Sequence, residues 1–329
     1  MKYLYVCTSS TNDFFLEQTF VSIVTLKTNT PHAFVSLLID ENTKKSFVGG
    51  REEIEQLVDE LIVVDLDGTL SGAIRSRLLK TSMRNHVDGD FLFIDSDTIV
   101  FDNLADIFTL PHDFAGVLDC HALLSCNPQI QLQMHKKQMR RLYADENFLN
   151  SETYVNSGVL FVRDTLENRS FFKQWNALYI ECLKKYNILQ DQPTLALCNF
   201  KHGFPIKILE GVWNCQLNYG AHLFRSAKIL HFFASVNIPQ SIQLMYNQVR
   251  QFKFDDNAVL FIKRNFEKAT FDLGHTAIVK GCEYSILNTA LYRLLIYLFS
   301  SHKKIFCFFE KIVSVGRGHG LYYKTKKGK

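Results

Sequence analysis

Phe91-Leu92-Phe93-Ile94-Asp95-Ser96-Asp97-Thr98-Ile99-Val100-Phe101 is an apolar and aromatic run interrupted by two carboxylates one residue apart. A stretch this rich in Phe, Ile and Val reads as a strand buried on both faces. Two acids at the end of such a strand are costly to bury unpaired. In an extended backbone side chains alternate, so Asp95 and Asp97 share a side and can grip one hard divalent ion through oxygen. The alternative is that the strand ends at Ile94 and Asp-Ser-Asp is a solvated turn.

Working outward, the neighbouring segments alternate strand and helix. Lys2–Thr8 reads as a first buried strand that runs into the polar loop Ser9-Ser10-Thr11-Asn12-Asp13. Phe15–Leu26 has a helical apolar spacing, and Asn29-Thr30-Pro31 ends it. Ala33–Ile39 is a second strand, Arg51–Leu61 an amphipathic helix with apolar residues at 54, 57, 58 and 61, and Leu61–Val64 a third strand. Ala73–Arg84 reads as the helix before the acid pair. Downstream, Ala115–Leu118 and Tyr154–Val162 are strands, the latter carrying Asn156-Ser157-Gly158. Between them Gln129–Tyr143, polar and basic, reads as an exposed helix or lid. Asn168–Tyr186 is a long helix. Asp191-Gln192-Pro193 opens another, with proline in its first turn and Asp191 available as N-cap. Ile206–Leu209 and Lys228–Phe232 are short strands. This alternation argues for an α/β domain with a mostly parallel sheet, whose ligands sit beyond the carboxyl ends of the strands.

Composition agrees with a globular chain: 329 residues, 47% hydrophobic, 21% charged, 28 Phe. No run reaches the roughly 18 apolar residues of a membrane-spanning helix, and the start does not read as a signal peptide. The eight cysteines form no C-x-x-C pair, so reduced thiols in the cytoplasm are expected. Charge is uneven. From Arg293 to Lys329 there are nine Lys or Arg and one acid, a balance of +8, which leaves −4 on residues 1–292.

Taken together these residues resemble the retaining glycosyltransferases of the GT-A fold, specifically glycosyltransferase family 8. The resemblance rests on Ser22-Ile23-Val24-Thr25-Leu26, Ser76-Arg77-Leu78-Leu79, Phe93 to Val100 with its acid pair, Tyr154-Val155-Asn156-Ser157-Gly158-Val159, Asp191-Gln192-Pro193 and Leu230-His231-Phe232. It covers about residues 1–240. It implies an octahedral ion bridging the two phosphates of a nucleotide sugar, held by Asp95, Asp97 and His231. Mixed nitrogen and oxygen ligation suits Mn²⁺ better than Mg²⁺, though Mg²⁺ stays open. Arg77 adds a fixed positive charge there. Asn156, Ser157, Asp191 and Gln192 line the sugar pocket, with Gln192 near the anomeric carbon and Ser96 beside the metal. The base contacts fall in the loop after the first strand, where Thr8, Asp13 and Phe15 are the candidates. Two features depart from the family pattern: that loop is longer, and no Lys follows His231 closely.

The expected architecture is therefore a GT-A α/β domain over residues 1–240 and a helical, basic and aromatic extension over 241–329. The implied activity is metal-dependent transfer of a hexose from a nucleotide sugar, UDP-linked, to a glycan, lipid-linked or protein acceptor with retention, as in lipopolysaccharide or capsule building. An inverting GT-A enzyme using Asp191 as base, and a non-catalytic sugar- or membrane-binding protein, stay open. Tyr284–Phe309 mixes large apolar residues with Arg293, His302, Lys303 and Lys304. Such a stretch suits the interface of an anionic membrane as well as a packed helical subdomain. The expected location is the cytoplasm, with attachment to the inner face of the membrane left open. No nucleic-acid-binding module accompanies the basic residues.

Overall fold

Seven strands form the main sheet of the computed structural model, which describes residues 2–124, 137–143, 145–151, 153–232, 240–266 and 289–315. They are β1 (Lys2–Cys7), β2 (Phe34–Asp40), β3 (Glu60–Val64), β4 (Phe91–Ile94), β6 (Phe114–Leu118), β7 (Val155–Val162) and β8 (Lys207–Ile208). Their order is β3-β2-β1-β4-β7-β6-β8. Only β7 runs against its neighbours. A second sheet joins β5 (Thr98–Val100), β10 (Ile229–His231) and β9 (Cys215–Gln216). The α/β reading with a mostly parallel sheet holds.

The two-residue period of the strands splits the interior into two cores. Tyr3, Tyr5, Cys7, Leu92 and Ile94 face one side, where they meet Phe20, Ile23 and Val24 of α1 (Phe15–Asn29). Leu4, Val6, Phe91 and Phe93 face the other. There they meet Leu79 and Met83 at the end of α2 (Gly72–Ser82), Phe172 and Trp175 of α3 (Leu166–Tyr186) and Leu195 of α4 (Gln192–Lys201). Each fully buried large side chain contributes about 1.5–3 kcal/mol, so strand alternation dominates the stability of this layer. All eight residues of β7 are buried.

Phe91–Phe101 is not one strand. β4 ends at Ile94, the chain turns through Asp95–Asp97, and β5 pairs with β10 in the other sheet. Arg51–Leu61 is not one helix either. A 3₁₀ turn (Gly49–Glu53) and one helical turn (Ile54–Leu57) end where Val58 becomes extended, because Glu60–Val64 are needed to pair with β2. Of the expected lid, residues 129–136 lie outside the described residues. Residues 137–142 are helical and expose Lys137, Arg140 and Arg141, as expected, while Met139 is buried.

By its contacts the chain divides into two units, Met1–Asn127 with Met134–Ile278, and Pro128–Gln133 with Val279–Lys329. The sequence boundary at 240 falls inside the first. Helices α5 (Gln240–Gln251) and α6 (Asp256–Asn265) add to that core: Tyr246, Val249, Ala258 and Ile262 are buried there, and Phe254 stacks on Phe20 at 4.2 Å. The described part of the second unit is α7 (Ala290–Ser301) and α8 (Lys303–Val315). No residue of α7 is buried.

Candidate functional site

The site lies where β4 stops at the carboxyl edge of the sheet. Asp95 N donates to Gly158 O of β7 at 2.8 Å, which fixes the turn against the neighbouring strand. Thr98 then starts β5, whose antiparallel partner opposite Thr98 is His231. Phe232 N donates to Asp97 O at 3.0 Å and closes the arrangement. The second sheet therefore exists to bring a residue 134 positions downstream of Asp97 back to the acid pair. One ligand atom from each of Asp95, Asp97 and His231 lies within 4.8 Å of the others. His231 Nε2 is 3.1 Å from Asp97 Oδ1 and 4.0 Å from Asp95 Oδ2. Gly158 makes room for this: a Cβ there would sit 2.4 Å from His231 Cε1 and 2.9 Å from Asp95 Oδ2.

The imidazole is aimed by a chain of amides. Asp119 can only accept, and it takes a hydrogen bond from Asn156 Nδ2 at 2.8 Å. Asn156 Oδ1 then accepts from the Gly158 N–H at 2.9 Å and from Asn214 Nδ2 at 2.9 Å. That leaves Asn214 Oδ1 facing His231 Nδ1 at 3.0 Å as an acceptor. The carboxylate at one end and the backbone N–H in the middle leave one orientation for both amides. His231 therefore carries a proton on Nδ1, and Nε2 faces the acids, the tautomer a metal ligand needs. Burial works against a second proton on His231, but Asp97 and Asp95 outweigh it and raise the pKa. Burial raises that of Asp95 although Lys80 opposes it.

Asp191 stands on the other side. It is the N-cap residue of α4, as expected, but its side chain makes no capping hydrogen bond. Its carboxylate turns instead to Arg77 Nε at 3.0 Å and Lys80 Nζ at 3.7 Å, and Ser157 also hydrogen-bonds it. Burial alone would raise its pKa; Lys80 and Arg77 more than offset this and lower it. Half-buried Gln192 follows, its side chain on the buried Tyr154 hydroxyl.

A cavity of about 430 Å³ opens beside the acid pair. Thr8, Asp13, Phe15, Arg77 and Ser96 line it together with Asp95 and Asp97. Ser96 Oγ accepts from Thr19 Oγ1 at 2.8 Å, and Thr8 Oγ1 donates to Gly72 O at 3.1 Å. Asp13 is largely spent within its own loop: its carboxylate accepts from Ser9 Oγ at 2.6 Å and from Ser10 N at 2.8 Å. The loop is clamped from behind. Arg51, buried instead of opening a helix, binds Glu17 through Nε and Nη2 at 2.9 and 2.8 Å and donates to the Ser10 and Asp13 carbonyls. Arg250 of α5 binds Glu17 as well, at 2.7 Å.

The sequence reading missed Lys80, Arg75, Asp119 and Asn214. Lys80 follows Arg77 by three positions on α2, so a shared helix face was available as a signal. Arg75 lines the cavity and pairs with the buried Asp40. Asp119 and Asn214 are isolated polar residues with no local pattern around them.

A family model described as nucleotide-diphospho-sugar transferase matches residues 70–238, a span that includes Arg77, both acids, Asn156, Asp191 and His231. No curated protein sequence gives a significant match. Among solved structures, mouse xyloside xylosyltransferase 1 is similar over 72% of this chain and 99% of its own, at 13% identity and a TM-score of 0.49. The galactosyltransferase LgtC, solved with donor and acceptor sugar analogues, is similar over 71% and 87%, at 14% identity and a TM-score of 0.47. The glycosyltransferase GlyE of Streptococcus pneumoniae is similar over 82% and 65%, at 17% identity and a TM-score of 0.48.

Proposed function

The chain belongs to the nucleotide-diphospho-sugar transferase family, glycosyltransferases of the GT-A fold, and from that premise we propose that it moves a hexose from a UDP-sugar to a glycan or lipid-linked acceptor with retention, as a family 8 enzyme. The observation that carries the reading is the convergence of Asp95, Asp97 and His231, with both acids lining the cavity. Two carboxylates and one imidazole, with Nε2 directed inward, fit a divalent ion that accepts mixed oxygen and nitrogen donors, and Mn²⁺ suits them best. Such an ion, when bound, supplies positive charge to the diphosphate leaving group. Arg77, on the rim between cavity and Asp191, adds a fixed guanidinium to the same task.

Asn156, Ser157, Asp191 and Gln192 are assigned to the sugar hydroxyls, and Asp119, bonded to Asn156, joins them. Retention is favoured over inversion by the state of Asp191. Pinned by Arg77 and close to Lys80, with its pKa lowered, it is a poor base for activating an acceptor hydroxyl. Gln192 is the neutral polar group left beside the anomeric carbon. Departure and attack on one face through an oxocarbenium-like state need no strong base on the enzyme. The test is release of hexose from UDP-glucose and UDP-galactose. Wild type with Mn²⁺ turns over one of them, and Asp95→Ala or Asp97→Ala stops it with the fold intact. Turnover unchanged by these substitutions or by EDTA refutes the assignment.

The second unit supports a membrane-held acceptor. Leu291, Phe308 and Ile312 are 63, 61 and 55% exposed on α7 and α8, beside Lys303, Lys304 and Lys311. No described helix is long and apolar enough to cross a membrane. Apolar side chains flanked by ammonium groups fit the surface of an anionic bilayer, which would place the enzyme on the inner face of the membrane. Co-sedimentation with phosphatidylglycerol vesicles, and not with phosphatidylcholine vesicles, is the expected result; no pelleting with either removes the claim.

A further inference from the structure

A buried cation stands between the two halves of the site. Lys80 is 5% exposed, and its Nζ lies 3.1 and 3.0 Å from the two oxygens of Asp95. It is 3.7 Å from Asp191 Oδ2, an oxygen with no hydrogen-bond partner. The Phe93 ring, 5.1 Å from Nζ to its centroid, closes another side of the amine. Both oxygens of Asp95 are thus engaged by an ammonium group, although the same carboxylate belongs to the cluster with Asp97 and His231.

The charges decide what this does. Three carboxylates, Asp95, Asp97 and Asp191, stand against Lys80 and Arg77, so these groups leave a formal charge of −1, which a divalent ion alone turns positive. A divalent ion bound by Asp95 feels the ammonium that shares that carboxylate, in surroundings that screen the repulsion poorly. A nucleoside diphosphate adds negative charge and reverses the balance. We infer that Lys80 is a positioning residue, the resident counter-ion of Asp95 and Asp191. The divalent ion then binds weakly by itself and enters together with the diphosphate. The inference rests on the reading of Asp95, Asp97 and His231 as metal ligands. A lysine that merely anchors α2 would leave metal affinity unchanged or lower it when removed.

The experiment is titration of Mn²⁺ followed by its electron paramagnetic resonance signal, without and with UDP. Wild type binds Mn²⁺ alone weakly and at least thirty-fold more tightly with UDP. Lys80→Met binds Mn²⁺ alone at least ten-fold more tightly than wild type, and the gain from UDP shrinks. Lys80→Arg, which keeps the charge, stays near wild type. Removing a buried partner can unfold a protein, so Lys80→Gln is the second variant. It keeps a donor between the two carboxylates without the charge, and the same tightening is expected. A folded Met or Gln variant that binds Mn²⁺ alone no more tightly than wild type overturns the inference. Mn²⁺ bound by none of these proteins, with or without UDP, removes the metal reading itself and the inference with it.

Discussion

Gly158→Ala adds one methyl group at the most crowded point of the site. Its Cβ would lie 2.4 Å from His231 Cε1, 2.9 Å from Asn156 Oδ1 and 2.9 Å from Asp95 Oδ2. None of these can retreat cheaply. His231 is held from behind by Asn214, Asn156 is held by Asp119, and Asp95 is held by Lys80. Overpacking of this kind costs about 1–3 kcal/mol of stability. The larger effect falls on the metal, because the imidazole must rotate away from the acids. Disturbed ligand orientation typically lowers metal affinity about 10–100-fold. Gly116→Ala is the control. Its Cβ would meet Val155 Cγ1 at 2.7 Å and Leu160 Cδ2 at 3.1 Å, in the core rather than against Asp95 or His231. Urea unfolding and Mn²⁺ titration in the presence of UDP are measured on both. The expected result is comparable destabilisation, with loss of metal affinity in Gly158→Ala only. Equal metal affinity in the two variants would refute the argument that Gly158 is there to let His231 approach.

Further expectations concern the surroundings of the site. Asn214→Ala frees His231 Nδ1 and lowers Mn²⁺ affinity about ten-fold or more, with little change in the circular dichroism spectrum; an unchanged titration contradicts the amide chain. Away from the site, hydrogen bonds from Arg169, then the Gly89 N–H and the Arg84 charge, hold the Asp164 carboxyl down to about 2. A carboxyl depressed in the folded state stabilises above its unfolded value near 3.9 and loses that contribution as pH falls toward 2. Allowing for solvent screening, Asp164→Asn costs about 1 kcal/mol at neutral pH, and the gap to wild type closes between pH 4 and 2 in urea unfolding. A gap that does not change over that range counts against the pairing.

Much of the fold was legible because the strands carry it. Tyr3 to Cys7, Phe91 to Ile94 and Val155 to Val162 are buried on both faces, and nothing but a strand suits such short apolar runs between turn residues. The acid pair, Asn156-Ser157-Gly158, Asp191-Gln192 and His231 were legible as residues. Their meeting place was not, because it depends on β5 and β10 pairing across more than a hundred positions. The same cause made Phe91–Phe101 look like one strand: both halves are buried, so the apolar pattern continues through a turn between two sheets. Arg51–Leu61 failed differently. Its helical spacing is real, but pairing of Glu60–Val64 with β2 and the demand of buried Glu17 for a cation outweigh local propensity. Asp191 does stand at the N-cap of α4, but two cations on α2 compete for its carboxylate, which local sequence does not announce. Asn214 and Asp119 reach Asn156 from 58 and 37 positions away, and no local pattern announces either.

The most direct test is calorimetric binding of UDP-, GDP-, CMP- and dTDP-sugars to the whole chain, each with Mn²⁺ and with EDTA. Metal-dependent binding of one UDP-hexose, lost in Asp97→Ala, is the predicted result. A folded chain that binds none of them, or binds one equally well in EDTA, contradicts the assignment of Asp95, Asp97 and His231.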